Sequence, residues 1–271
     1  MSQNFKKKKI AIIGGGNLGI SITEGLIKTG LVESKNITVT RRKVHLIESR
    51  LQKLVNVTSD NVKAVSNAEI IVLAIKPKQL MDVLKEIQPV LNAKKHLVIS
   101  VVTGISIPEI AKVIATNVPL FRAMPNTAIA IQQSMTCVST KNGSEQQKEL
   151  VMTLFEKLGK AVLIEDELMS AATVLAACGI AYSLRYIRAA SQGGIEIGFD
   201  AATAQLIAAQ TVKGAASLLL ERGEHPEKEI DRVTTPQGCT IAGINEMEHQ
   251  GFSSSLIKGI VTSYKSIENI K

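Results

Sequence analysis

From Ile10 onward the chain alternates short apolar runs of strand length with stretches whose apolar residues recur at helical spacing, the order a parallel sheet needs. Ile10 to Ile13 predicts a first strand, and Ile20 to Ile27 a helix that Gly30 stops. Ile37 to Thr40 predicts the second strand, Val44 to Leu54 a helical stretch, and Val57 to Ser59 a short segment after it. The run Ala68 to Ile75 is apolar apart from Glu69 and predicts a buried central strand, ended by Lys76 and Pro77. A helix over Gln79–Val90, a strand over His96–Val102, a helix over Ile107–Ile114 and a strand over Pro119–Met124 continue the alternation. After about residue 163 the strand runs give way to alanine-rich helical patterns, the largest being Glu167–Gln192 and Asp200–Arg222. Asp200 suits the N-cap of the second, and Gly223 stands just past its end.

The first strand runs straight into Gly14-Gly15-Gly16-Asn17-Leu18-Gly19, a G-x-G-x-x-G turn that opens a helix. Each glycine of the motif has a task in a dinucleotide site. Gly14 allows the tight turn, Gly16 lets backbone amides approach a pyrophosphate, and Gly19 lets the helix pack on the strand. The helix start, with the amides of Asn17 and Leu18, adds unpaired N–H groups and a positive dipole end. Where NAD-binding folds place an acid on the ribose, about twenty residues on, this chain has Thr40, Arg41 and Arg42. A hydroxyl and two guanidinium groups suit a 2′-phosphate, so NADP(H) is expected, with NAD(H) as the secondary donor. Residues Ala74, Ile75, Lys76 and Pro77, at the carboxyl end of the central strand, are expected to line the same crevice. The expected fold is an α/β Rossmann domain, doubly wound on a mainly parallel sheet, over residues 1–163, followed by an all-α domain over 164–271. Ala171, Ala172, Ala176, Ala177 and Ala181 give small helix faces that suit dimerisation, although a packed monomeric bundle would use the same residues.

Composition narrows the class further. The 271 residues suffice for two cores, and 45% are hydrophobic, with no run expected to reach bilayer-spanning length. The start, Met1 to Lys9, lacks the apolar core of a signal peptide, so a cytoplasmic protein is expected. Cys137, Cys178 and Cys239 are odd in number and far apart, and His45, His96, His225 and His249 are scattered, so neither a disulfide framework nor a metal site is expected. The net charge of +8 goes with only 3% aromatic residues and no stacking pattern, which favours phosphorylated small molecules over nucleic acid as partners.

A second chemical loop runs from Asp231 through Thr234-Thr235-Pro236-Gln237-Gly238-Cys239-Thr240 into a helical stretch over Ile241–His249. Helix-opening amides beside the hydroxyls of Thr235 and Thr240 could hold a small carboxylate, and simple capping explains the same residues equally well.

Taken in order, the glycine turn, Ala74-Ile75-Lys76-Pro77, Arg122-Ala123-Met124-Pro125-Asn126-Thr127, Glu167-Leu168-Met169 before Thr173, and the Thr235-Pro236 to Thr240 loop resemble pyrroline-5-carboxylate reductases over nearly the whole chain. The resemblance implies an NADP-binding Rossmann domain, a helical domain that forms homodimers or higher homo-oligomers, and reduction of 1-pyrroline-5-carboxylate to L-proline. It implies catalytic roles for Thr240 and Thr173, with Thr240 at the substrate or product nitrogen. Thr235, Gly238 and Cys239 would hold the substrate carboxylate; Asn61, Met124, Pro125 and Asn126 would contact the cofactor. The chain also departs from the family pattern. Ala177-Cys178-Gly179-Ile180-Ala181-Tyr182 replaces the usual Gly-Ser-Gly-Pro-Ala-Tyr, Ala128 replaces a proline, Gln237 a glycine and Cys239 a threonine. Those changes keep open a different cyclic imine as substrate, or a cofactor-binding regulator without catalysis. β-Hydroxyacid reductases share the architecture, yet the lysine and asparagine they carry on the long helix have no counterpart beside Arg185 and Arg188.

Overall fold

A computed structural model describes residues 5–114 and 117–268; Met1 to Asn4, part of the start considered above, lie outside them. The chain groups into two compact units: one runs up to Cys178 and takes in the chain from Tyr264 onward, and the other is Gly179–Ser263. The helical run from Asp166 makes its first contacts with the sheet.

The first unit carries strands β1 (Ile10–Ile13), β2 (Ile37–Thr40), β3 (Asn56–Thr58), β4 (Ile70–Leu73), β5 (Leu97–Ser100), β6 (Leu120–Met124), β7 (Ser134–Thr140) and β8 (Gly159–Leu163). They form one sheet in the order β3-β2-β1-β4-β5-β6-β7-β8. Every pairing is parallel except β6 with β7. Its helices are α1 (Asn17–Thr29), α2 (Ser49–Gln52), α3 (Asn61–Ser66), α4 (Pro77–Ile87), α5 (Ile107–Ile114), α6 (Glu145–Glu156) and α7 (Met169–Ala172). Alternation along the strands splits the core in two: Ile10, Ile12, Ile37 and Val39 join one cluster, while Ala11, Ile13, Ile71 and Leu73 join the other. Helices therefore cover both sheet faces, as the doubly wound reading requires. The strand order reverses between β1 and β4, which puts a crevice at their carboxyl ends.

Two local expectations change. Val44–Leu54 is not one helix but a 3₁₀ turn at Val44–Leu46 and the short α2, because buried Ile47 between them takes an extended backbone to reach the core. β7 carried no clear period, since it reads Ser-Met-Thr-Cys-Val-Ser-Thr and buries its hydroxyls Ser134, Thr136 and Ser139; α6 and β8 follow it.

The second unit is helical: α8 (Gly179–Glu196), α9 (Ala201–Arg222), α10 (Pro226–Val233), α11 (Cys239–His249) and α12 (Phe252–Glu268), whose last residues group with the first unit. Asp200 caps α9 by accepting from the amides of Ala202 and Thr203, and Gly223 ends it with φ of 66°. Helices α8 and α9 approach through small residues, with Gly194 against Ala204 and with Ser191, Ala204 and Ala208 buried. An open apolar groove of about 980 Å³ remains, lined by Tyr182, Tyr186, Val212, Leu219, Met247 and Phe252 among others.

Asp166 to Glu196 is a continuous helical run, with a π-helical turn at Thr173–Cys178 between α7 and α8. At 31 residues it is long and apolar enough to cross a membrane by length and composition, which corrects the expectation that no run approaches that length.

Candidate functional site

At the carboxyl end of β1 the chain must reverse within three residues and start a helix. Gly14 takes φ of 113°, and a Cβ there would stand 2.4 Å from the Ala74 carbonyl oxygen. A Cβ on Gly19 would stand 2.0 Å from the Gly14 oxygen, so α1 packs on the turn only because that position lacks a side chain. Gly16, by contrast, faces open space: nothing stands within 4 Å of where its Cβ would be. It is also the N-cap of α1, without a capping side chain, and the first turn of the helix holds no acid. The amides of Asn17, Leu18 and Gly19 have no intrahelical acceptor at this end. Open space, free amides and a positive helix end make a cradle that fits a pyrophosphate.

Thr40 braces that cradle. It is 2% exposed. Its carbonyl accepts from Gly14 and Gly15 at 3.2 and 2.7 Å, and its hydroxyl accepts from the Gly14 amide at 3.2 Å. The hydroxyl proton itself is not committed by this bond. The arginines fit a 2′-phosphate better. The Arg41 guanidinium donates to the Leu46 carbonyl at 3.1 Å and Arg42 is exposed, both directly beyond β2.

Around the crevice, Ala74 follows β4 and donates to the Ile13 carbonyl, Ile75 packs toward Gly14, and exposed Lys76 caps α4, which starts at Pro77. Asn61 opens α3 beyond β3, with its amide on Glu86 at 3.0 Å. Met124 and Pro125 are buried at the end of β6. Asn126 is held on every side: its backbone amide donates to Ser134, its side-chain oxygen accepts from Ala128, and its side-chain amide donates to the Ala176 carbonyl in the π-helical turn at 3.2 Å. Asn126 thus positions the chain at the end of β6. Thr173 is 3% exposed and donates its hydroxyl proton to the Met169 carbonyl at 2.8 Å, which leaves its oxygen as an acceptor.

In the second unit the Thr235–Thr240 loop has the form of a type II turn. Gly238 donates to the Thr235 carbonyl at 2.9 Å, with Pro236 at the second position and Gln237 at the third with φ of 60°. That third position favours glycine, the residue Gln237 replaces. Gly238 caps α11 without a side-chain bond, and a Cβ on it would stand 2.5 Å from the Thr235 hydroxyl. Thr235, Cys239 and Thr240 are exposed, so hydroxyls and the helix-opening amides of Cys239 and Thr240 face outward together.

Pattern reading missed one buried cluster. Arg122 on β6 pairs with Asp166 at 2.8 Å, both side chains 6% exposed, and Ser139 donates to the same carboxylate oxygen at 2.9 Å. These groups stand 44 and 27 residues apart in sequence, so no local signal announces them. They fasten the start of the Asp166–Glu196 run to the sheet. Among the described residues no group of three or more His, Cys, Asp or Glu side chains is placed to hold a metal ion.

Comparison with known proteins adds independent findings. A family model described as pyrroline-5-carboxylate reductase dimerisation matches residues 166–270, and one described as NADP oxidoreductase, coenzyme F420-dependent, matches residues 9–104. Pyrroline-5-carboxylate reductase 1 of Dictyostelium discoideum is 48% identical over 94% of this chain, which spans 48% of that relative's length. Pyrroline-5-carboxylate reductase 2 of the same organism is 44% identical over 94% of this chain and 91% of its own. A crystal structure of a pyrroline-5-carboxylate reductase from Coxiella burnetii, 29% identical, superimposes with a TM-score of 0.86 over 97% of this chain and 98% of that one.

Proposed function

The chain belongs to the pyrroline-5-carboxylate reductase family, and from that premise we propose that it reduces 1-pyrroline-5-carboxylate to L-proline with NADPH, the last step of proline biosynthesis. The observation that carries the reading is the 44% identity to a relative of this name across 91% of that relative's length. The enzyme is an NADP-dependent oxidoreductase acting on a C=N bond.

NADPH, when bound, supplies the hydride that adds to the imine carbon. The chain's own work is binding and orientation. Amides of Gly16, Asn17, Leu18 and Gly19 at the α1 start receive the pyrophosphate, and Arg41 and Arg42 receive the 2′-phosphate. Ala74 to Pro77 form a wall of the crevice, with Asn61 at its rim. Asn126 holds the π-helical turn in place, and Thr173, its proton committed to Met169, shapes the pocket without moving a proton. Thr235 and the amides of Gly238 and Cys239 take the substrate carboxylate. Thr240 hydrogen-bonds the ring nitrogen, favouring the protonated imine whose carbon accepts hydride.

The exposed apolar faces of the second unit fit self-association, and a homodimer or larger homo-oligomer is the proposed assembly. Three free cysteines, with no disulfide among the described residues, fit the proposed cytoplasmic location. One observation favours a second reading: Gln237 puts a side chain at a left-handed turn position of the proposed substrate loop where glycine is favoured, which fits a different cyclic imine.

Oxidation of NADPH by the purified protein tests both readings, with 1-pyrroline-5-carboxylate beside the six-membered 1-piperideine-6-carboxylate and an NADH control. Turnover preferring the five-membered ring is expected; turnover only on the larger ring transfers the function to the second reading, and none on either removes both. Thr240→Ala is expected to lower imine turnover about ten-fold or more with NADPH affinity unchanged, and wild-type turnover would take Thr240 out of the mechanism.

A further inference from the structure

Strand β2 reads Ile-Thr-Val-Thr, whereas the central β4 reads Ile-Ile-Val-Leu. Ile37 and Val39 enter one core cluster, so Thr38 points to the opposite sheet face. Register places Asn56 beside Thr38 and Thr58 beside Thr40, so this face is polar toward the β3 edge. The helix that lies over it, α3, has six residues and so spans only about 9 Å. A helix that short leaves polar sheet surface uncovered. The result is a cavity of about 590 Å³ with Thr38, Asn56 and Thr58 among its walls and with Lys9, Lys35 and Lys63 around it.

The chemistry of the lining is one-sided. No Asp or Glu lines the cavity, and no aromatic residue does. Asn56 donates to the Lys35 carbonyl at 2.6 Å, fixing the segment that carries one of the three cations. The Lys35 ammonium pairs with Glu33 at 2.8 Å on the surface, where such a pair is weak and readily exchanged for another anion. Glu33 itself is held below the usual carboxylate range by the hydrogen bond and charge of Lys35, with Lys6 and Lys7 adding to the effect. Lys9 and Lys35 precede β1 and β2, whereas Gly14 and Arg41 follow them, so two of the three lysines stand at the opposite strand ends from the dinucleotide crevice, and the cavity runs from there along β3 to Thr58.

We propose that this cavity is a second anion site, for a small multiply charged oxyanion of the polyphosphate class, with inorganic pyrophosphate as its simplest occupant. Compact ammonium charges with hydroxyls beside them suit phosphate oxygens, and without an aromatic wall the site gives a nucleobase nothing to stack on.

Calorimetric titration of the full chain with inorganic pyrophosphate, with and without saturating NADPH, tests the assignment. Binding is expected to persist in the presence of NADPH. The combined variant Lys9→Gln, Lys35→Gln, Lys63→Gln is expected to lose it at least ten-fold, with NADPH affinity and imine turnover unchanged. Three results overturn the site: loss of pyrophosphate binding when NADPH saturates, which places the anion in the dinucleotide crevice; undiminished binding in the triple variant; or equal binding of sulfate at matched ionic strength, which marks general charge attraction. Absence of imine turnover alongside retained pyrophosphate binding would count against the proposed reaction and leave this site standing.

Discussion

The two units of this chain handle apolar surface in opposite ways. In the first, Leu26, Ile71, Leu73, Leu80 and Phe121 are wholly enclosed by their own chain. In Gly179–Ser263, the described residues that are buried number three, Ser191, Ala204 and Ala208, while Leu206, Leu220 and Ile197 are 69%, 75% and 78% exposed. A sheet with helices on both faces closes its core alone; five helices with small-residue contacts and an open groove do not. The first unit thus owes its stability to folding, and the second owes much of its own to association.

The largest expected effect lies in the self-sufficient unit. Arg122→Met leaves Asp166 buried without its cation and is expected to destabilise by about 3–5 kcal/mol, read from denaturant midpoints. A loss under 1 kcal/mol would show that Ser139 and water satisfy the carboxylate. Next comes a matched pair of truncations. Leu26→Ala is expected to cost about 2–5 kcal/mol at any protein concentration. Leu220→Ala should alter the concentration dependence of unfolding and the mass seen by light scattering, with little change under dilute, dissociated conditions. Equal, concentration-independent losses at both sites would erase the contrast.

Smaller effects sharpen the comparison. Gln237→Gly should stabilise by about 1 kcal/mol, because relief of roughly 1–2 kcal/mol of left-handed strain exceeds the roughly 0.5–1 kcal/mol that glycine adds to unfolded-chain entropy. Destabilisation would mean that the glutamine side chain makes compensating contacts. The smallest concerns His96. Burial first, and the Lys95 charge second, lower its pKa from 6.5, and its Nδ1 accepts from the Asn92 amide, which requires a neutral ring. The unfolded chain therefore binds a proton that the folded chain refuses. Stability should be complete above the ordinary value and fall as pH drops below it, and His96→Gln should flatten that fall in thermal melts. An unchanged slope would place the acid sensitivity elsewhere.

Much of the fold was legible because it rests on local rules. The glycine turn, the Ile-Ile-Val-Leu strand and the Asp200 and Gly223 ends of α9 each carry their own signal within a few residues. β7 was hidden because buried hydroxyls broke its apolar period, and β8 because Gly-Lys-Ala-Val-Leu is short and buries none of its residues. At the site, sequence assigned Thr40 from residue type and position, and Thr173 and Asn126 from the family resemblance. Which way a hydroxyl or amide turns depends on partners such as the Gly14 amide, the Met169 carbonyl and the Ala176 carbonyl, which no spacing reveals.

Thr40 has a consequence beyond bracing. Its carbonyl and hydroxyl clasp the glycine turn, and Arg41 follows it directly, so one residue gauges the distance between the cradle for one phosphate group and the fork for another. If the glycine amides and the arginine pair take the two phosphate groups as proposed, discrimination between dinucleotides has a metric part besides its charge: the chain would work as a caliper whose pivot is a buried threonine.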